Sequence, residues 1–181
     1  MPLKPLLPQP TVLSEEIIYD SPWLKVRRVD NLFPSGLRRA FCLKDEPDVV
    51  VCLPVTDDGR FVLLEEYRHG PRRRLFELPA GMVDAGEDAQ VAAARETLEE
   101  TGYAGEVRHL VTTWISAYSN ARKHIFVMTG ARRVQDPQPE PHELMRVALA
   151  TREELEEVVR SGQLSDLDAA LLCLRHLHGG W

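Results

Sequence analysis

The chain has 181 residues, 44% of them hydrophobic and 28% charged, and a formal net charge of -6. That is enough for one domain with a sizeable core and room for a small added layer. The acidic balance argues against a nucleic-acid polymer as partner, and no apolar run approaches the length of a membrane span.

The opening MPLKPLLPQP has repeated Pro but neither a continuous apolar core nor a small-residue cleavage site. It reads as a flexible Pro-rich tail over residues 1–13 rather than a secretory signal, so the cytoplasm is the expected compartment. Cys42, Cys52 and Cys173 are widely spaced and form no Cys-x-x-Cys pair, as expected of reduced thiols. Cys173, His176 and His178 on one terminal helix make an incomplete zinc set.

Glu16 to Tyr19, Leu24 to Val29 and Leu37 to Leu43 read as strands, separated by Asp20-Ser21-Pro22 and Pro34-Ser35-Gly36 turn signals. They predict an N-terminal β-layer over 14–46. The apolar run Val49 to Leu53 suits a buried strand, and Asp57-Asp58-Gly59 turns it into Phe61 to Tyr67. Leu75 to Leu78 is a short strand that leads through Pro79-Ala80 to Gly81. Asp84 with Glu87 three residues later has a capping-box pattern, and the run Asp88 to Thr101 is rich in Ala, Glu and Leu until Gly102 stops it. Helical spacing puts Val91, Ala94 and Leu98 on one stripe, expected to pack, and Glu96, Glu99 and Glu100 on another. Val107 to Ile115, His124 to Met128 and Met145 to Ala148 follow as strands, then helices from Thr151 to Ser161 and from Ser165 to His178. Strands interspersed with three helices predict an α/β sandwich over 47–181.

Three glutamates at i, i+3 and i+4 repel by a few tenths of a kcal/mol per pair, and a hard cation such as Mg²⁺ would offset that. For the glutamates alone, a solvated acidic face is the simpler explanation. The wider order is more specific. Gly81, five residues, Glu87, seven residues, Arg95-Glu96, then Glu99-Glu100 and Gly102 together resemble the Nudix box of the Nudix hydrolase superfamily. Thr97 departs from it, where that family usually has an aliphatic residue. Glu65-Glu66-Tyr67-Arg68 is similar to the Gln-Tyr-Arg segment of the nucleoside-diphosphate-sugar branch typified by ADP-ribose pyrophosphatases. Glu77-Leu78-Pro79-Ala80-Gly81 resembles that branch's lead-in to the box.

The resemblance implies a Nudix α/β/α sandwich with a mixed sheet, and an Mg²⁺-dependent pyrophosphohydrolase, with Mn²⁺ as a substitute cation. It implies hydrolysis of a nucleoside diphosphate sugar to a nucleoside monophosphate and a sugar phosphate. Glu96 and Glu100 are then the expected metal ligands, with the Ala80 carbonyl and Glu99 as further ones, and Arg95 holds the glutamates in place. Arg68 is the expected phosphate contact, its planar fork matching phosphate oxygens, and Glu77 lies on the substrate side. Trp23 and Phe41 stand where some dimeric members carry aromatics that sandwich the nucleobase from two subunits, so a homodimer is expected; core packing is the simple alternative for both. The loop after the box departs from the branch. It reads Ile115-Ser116-Ala117-Tyr118-Ser119-Asn120-Ala121 and lacks the branch's glutamate, leaving Glu99, Glu140 or Glu143 as the candidate base. A nucleoside triphosphate or dinucleotide substrate, and a nucleotide-sugar sensor without turnover, are the alternative readings.

Overall fold

The computed structural model describes residues 7–22, 24–139 and 143–179. Residues 1–6 of the Pro-rich start, Trp23 and Glu140 lie outside the described residues. The chain divides into two units, Met1–Glu46 with Trp114–Ala121, and Pro47–Thr113 with Arg122–Trp181.

In the first unit, β1 (Thr11–Asp20), β2 (Lys25–Leu32) and β3 (Arg38–Lys44) form an antiparallel sheet in that order. β1 is longer than the Glu16 to Tyr19 run, and it is exposed along its whole length, including Ile17, Ile18 and Tyr19. The segment Trp114–Ala121 is pinned to the end of β3: the Lys44 amide donates to the Tyr118 carbonyl at 2.7 Å, and the Glu46 amide to Asn120 Oδ1 at 2.9 Å. These bonds replace a sheet ladder and give this loop a fixed course.

The second unit is built on β4 (Val49–Thr56), β5 (Phe61–Arg68), β6 (Arg73–Glu77), β7 (Ala80–Met82), β8 (Tyr103–Trp114), β9 (Arg122–Arg133) and β10 (Met145–Ala150). The strand order is β10-β5-β4-β9-β8, with β6 paired to β5 and β7 to β4. β4 and β9 run parallel while β4–β7, β5–β6 and β5–β10 are antiparallel, so the sheet is mixed, as expected. Helix α1 (Ala89–Thr101) packs on one face with Val50, Cys52, Val62 and Phe126. Helices α2 (Arg152–Arg160) and α3 (Leu167–Leu177) cover the other, around Val51, Leu53, Leu63 and Ile125. Successive β4 residues point to opposite covered faces, which explains why Val49 to Leu53 is apolar without alternation. Each such fully buried side chain contributes roughly 1.5–3 kcal/mol.

Two local expectations for α1 are corrected. Gly86, at φ 82, makes an extra turn, and the helix starts at Ala89 with Asp88, not Asp84, as its cap: Asp88 Oδ1 accepts from the Gln90 amide at 2.8 Å. The Glu87 carboxylate still accepts from the Asp84 amide at 3.1 Å, closing the turn before the helix. The packed stripe is also rotated. Ala92, Ala93, Thr97 and Thr101 are buried, whereas Val91 is 58% exposed. Small residues let α1 lie close to the sheet, and the Thr97 hydroxyl is satisfied inside by donating to the Ala93 carbonyl at 2.7 Å. The rotation turns Glu96 and Glu100 towards the fold instead of towards solvent.

Candidate active site

α1 delivers the glutamates and β7 meets them. The Ala80 amide donates to Glu100 Oε2 at 2.9 Å. A Cβ built on Gly81 would stand 2.0 Å from the Glu96 carboxyl carbon, so only glycine lets that carboxylate lie against the strand. Arg95 ties the group together from the outer side. Its Nε and Nη2 bind Glu87 at 3.0 and 2.9 Å, Nη1 reaches Glu96 at 2.8 Å and Glu99 at 3.3 Å, and Nη2 also donates to the Met82 carbonyl at 3.2 Å. One planar guanidinium thus ties together a helix, a turn and a strand.

Electrostatically the group is under tension. Burial pushes the Glu100 carboxyl up to about 8, against the Ala80 hydrogen bond and with help from the charges of Glu96, Glu143 and Glu66. Burial also raises Glu96, despite Arg95 beside it. By contrast Glu87 is lowered, chiefly by its bond to Arg95. The donors are all oxygens, one is a largely buried carboxylate with one amide donor on it among the described residues, and Gly81 keeps space open at another. This donor set fits a hard divalent cation. Among the described residues no three His, Cys, Asp or Glu side chains form a ready-made cage. An ion that keeps waters and takes further oxygens from a phosphate needs none.

Arg68, from the end of β5, faces Glu77 at the end of β6. Its Nε donates to Glu77 Oε1 at 2.6 Å and its Nη2 to Glu77 Oε2, a two-bond fork. Nη2 is also 3.4 Å from Glu66. Glu77 is 2% exposed and both its oxygens are engaged with Arg68. Arg68 itself keeps 47% of its side chain exposed. The fork raises Arg68 well above the ordinary arginine value, outweighing burial. Glu66 is the buried acid that the sequence reading missed. The signal was available, because in a strand residues two apart share a face, and Glu66 stands two before Arg68.

The other candidates lie at different depths. Glu99 is 48% exposed, and Glu143 precedes β10, its charge felt at Glu100. Phe41 lies in the first unit, its ring 6.3 Å from that of Phe33 and 5.8 Å from the Arg39 guanidinium. Both rings line a cavity of about 500 Å³ whose wall includes Asn31, Asn120 and Arg27. Cys173, from the incomplete zinc set, is buried and donates to the Phe126 carbonyl at 3.4 Å.

The NUDIX domain family matches residues 45–168 of the chain. An ADP-ribose pyrophosphatase of Bacillus subtilis is 25% identical over 161 residues, 87% of this chain and 87% of that one. A CMP-5'-(N-acetyl-N-hydroxy-3-aminopropyl)phosphonate hydrolase of Streptomyces rubellomurinus is 35% identical over 154 residues, 83% of this chain and 73% of that one. A solved structure of an ADP compounds hydrolase superposes with a TM-score of 0.83, over 97% of this chain and 98% of that one, at 23% identity, and is a likeness of fold.

Proposed function

Because the chain belongs to the NUDIX family, in its ADP-ribose pyrophosphatase-like branch, and is a hydrolase of diphosphate linkages, we propose that it acts on nucleoside diphosphate sugars with Mg²⁺ as its cation. The observation that carries this is the convergence of Glu96 and Glu100 on the strand Ala80–Met82, where Gly81 leaves room for a carboxylate. Glu96 and Glu100 would hold the cation, with the Ala80 carbonyl and Glu99 completing the protein's share. Mn²⁺ has the same preference for oxygen donors and would substitute. Bound there, the cation supplies neutralisation and polarisation of the phosphate oxygens.

Water adds its oxygen to one phosphorus, the bridging P–O bond breaks, and a nucleoside monophosphate and a sugar phosphate leave. Glu99 or Glu143 takes the proton of the attacking water. Arg68 binds a phosphate oxygen and orients it, while Arg95 keeps the carboxylates in register. The cavity lined by Phe41 has an aromatic wall and amide groups, a composition that suits a flat heterocycle, and supports Phe41 as a nucleobase contact. Trp23 is assigned the same role by resemblance alone.

The test is ADP-ribose hydrolysis as a function of Mg²⁺ concentration, in the native protein and in Glu100→Gln. The substitution keeps size and removes a ligand charge, and kcat/KM is expected to fall by about 100-fold or more. Undiminished turnover at saturating Mg²⁺ would overturn the metal assignment.

A further inference from the structure

Arg68 has five N–H donors, and their distribution is uneven. Nε and Nη2 are taken by Glu77, and Nη2 also has Glu66 at 3.4 Å. Among the described residues, Nη1 has neither a hydrogen bond nor an ion pair, while the Arg68 side chain is 47% exposed. The two carboxylates that hold it are buried, Glu77 at 2% and Glu66 at 10% side-chain exposure. One edge of the guanidinium is therefore fixed to the protein and the other is turned away from both carboxylates.

The two holders come from different strands. Glu66 and Arg68 share a face of β5 because they are two residues apart, and Glu77 opposes Leu64 across the β5–β6 ladder. Glu77 alone fixes the plane of the fork but leaves the side chain free to pivot about the Glu77 carboxylate. A second anion in ion-pair range of Nη2 opposes that pivot.

We propose that Glu66 is a positioning residue for the hydrolytic reaction, acting through Arg68: with Glu77 it clamps Nη2, so that Nη1 is the nitrogen presented to a substrate phosphate oxygen. The proposal rests on the assignment of Arg68 to phosphate binding. Glu66 touches neither substrate nor the reacting atoms in this role; its charge is also felt at Glu100, and dependence of its effect on Arg68 separates the two.

Two measurements test it. The first is a kinetic cycle on ADP-ribose with Glu66→Ala, Arg68→Ala and the double variant, with Glu66→Gln as the conservative change. Glu66→Ala is expected to raise KM about tenfold with kcat within threefold, Glu66→Gln to recover most of that loss, and Glu66→Ala to add less than twofold once Arg68 is absent. A kcat loss at unchanged KM, or the same loss with and without Arg68, overturns the proposal. The second needs no turnover. Nitrogen-detected NMR of Arg68 should show a slowly rotating guanidinium in the native protein, faster rotation in Glu66→Ala, and rotation close to native in Glu66→Gln. Unchanged rotation in Glu66→Ala overturns the clamp. Fast rotation together with no phosphate-dependent effect of Arg68→Ala leaves the clamp standing and instead overturns the assignment of Arg68 to substrate.

Discussion

Gly81 and Glu100 show how closely single residues set this site. Adding a methyl group at Gly81 forces the Glu96 carboxylate from its place, so Gly81→Ala should lose about 1–3 kcal/mol of stability and weaken Mg²⁺ binding together. Thermal melting with and without Mg²⁺ checks both, and a variant that melts and binds like the native protein would contradict the packing argument. The glutamates, Arg95 and Gly81 were legible in the sequence because their spacing is fixed by one helix and one turn. Spacing alone places Glu66 on the face of Arg68, but its importance depends on the burial of β5 and on Glu77, which comes from another strand. The fork between Arg68 and Glu77 was equally hidden: both residues were marked for the substrate side, and only the β5–β6 pairing brings them together.

Among the elements, β4 and β9 carry the most informative polar contacts. Asp48, just before β4, accepts from the Arg122 amide at 2.8 Å and from Arg122 Nε at 3.1 Å, and His124 Nε2 lies 3.2 Å away. Burial opposes its ionisation, but these donors together outweigh burial and hold Asp48 below the ordinary carboxylate range. A lowered folded-state value means stability that is present above the unfolded carboxylate range and is lost as pH falls through the folded value. Asp48→Asn should therefore be less stable than the native protein at pH 7, and the gap should close below about pH 4. Melting curves across that window check it, and a gap that persists in acid would show that packing, not charge, is at stake. The same scale explains the misread helix. Val91 and Leu98 suggested the packed stripe by hydrophobicity, but the sheet accepts the small face of Ala92, Ala93 and Thr97, since close approach of α1 is what lets Glu96 and Glu100 reach β7. Type and order of most elements followed from apolar runs and turn residues, but the three-residue strand β7 was read only as the lead-in to the helix, and the parallel pairing of β4 with β9 leaves no local trace in either strand.

For the whole molecule, the first unit presents a ten-residue strand, β1, exposed throughout, with Val12, Ile17, Ile18 and Tyr19 each about half exposed. An apolar edge strand of this length is a pairing surface unless something covers it, and we propose a second copy of the chain. Light scattering should give a mass about twice the 20.5 kDa of one chain, and Ile18→Lys should shift it towards the monomer. A native mass of one chain would contradict the dimer. The central claim, cleavage of a nucleoside diphosphate sugar at its diphosphate, is tested most directly by mass-resolved products. The panel would contain ADP-ribose, other ADP-, GDP- and UDP-sugars, dinucleotides and nucleoside triphosphates, each with and without Mg²⁺. The account predicts Mg²⁺-dependent release of a nucleoside monophosphate and a sugar phosphate in preference to any other product pair. Pyrophosphate released from a triphosphate as the preferred reaction, or no product from any sugar nucleotide, would contradict it.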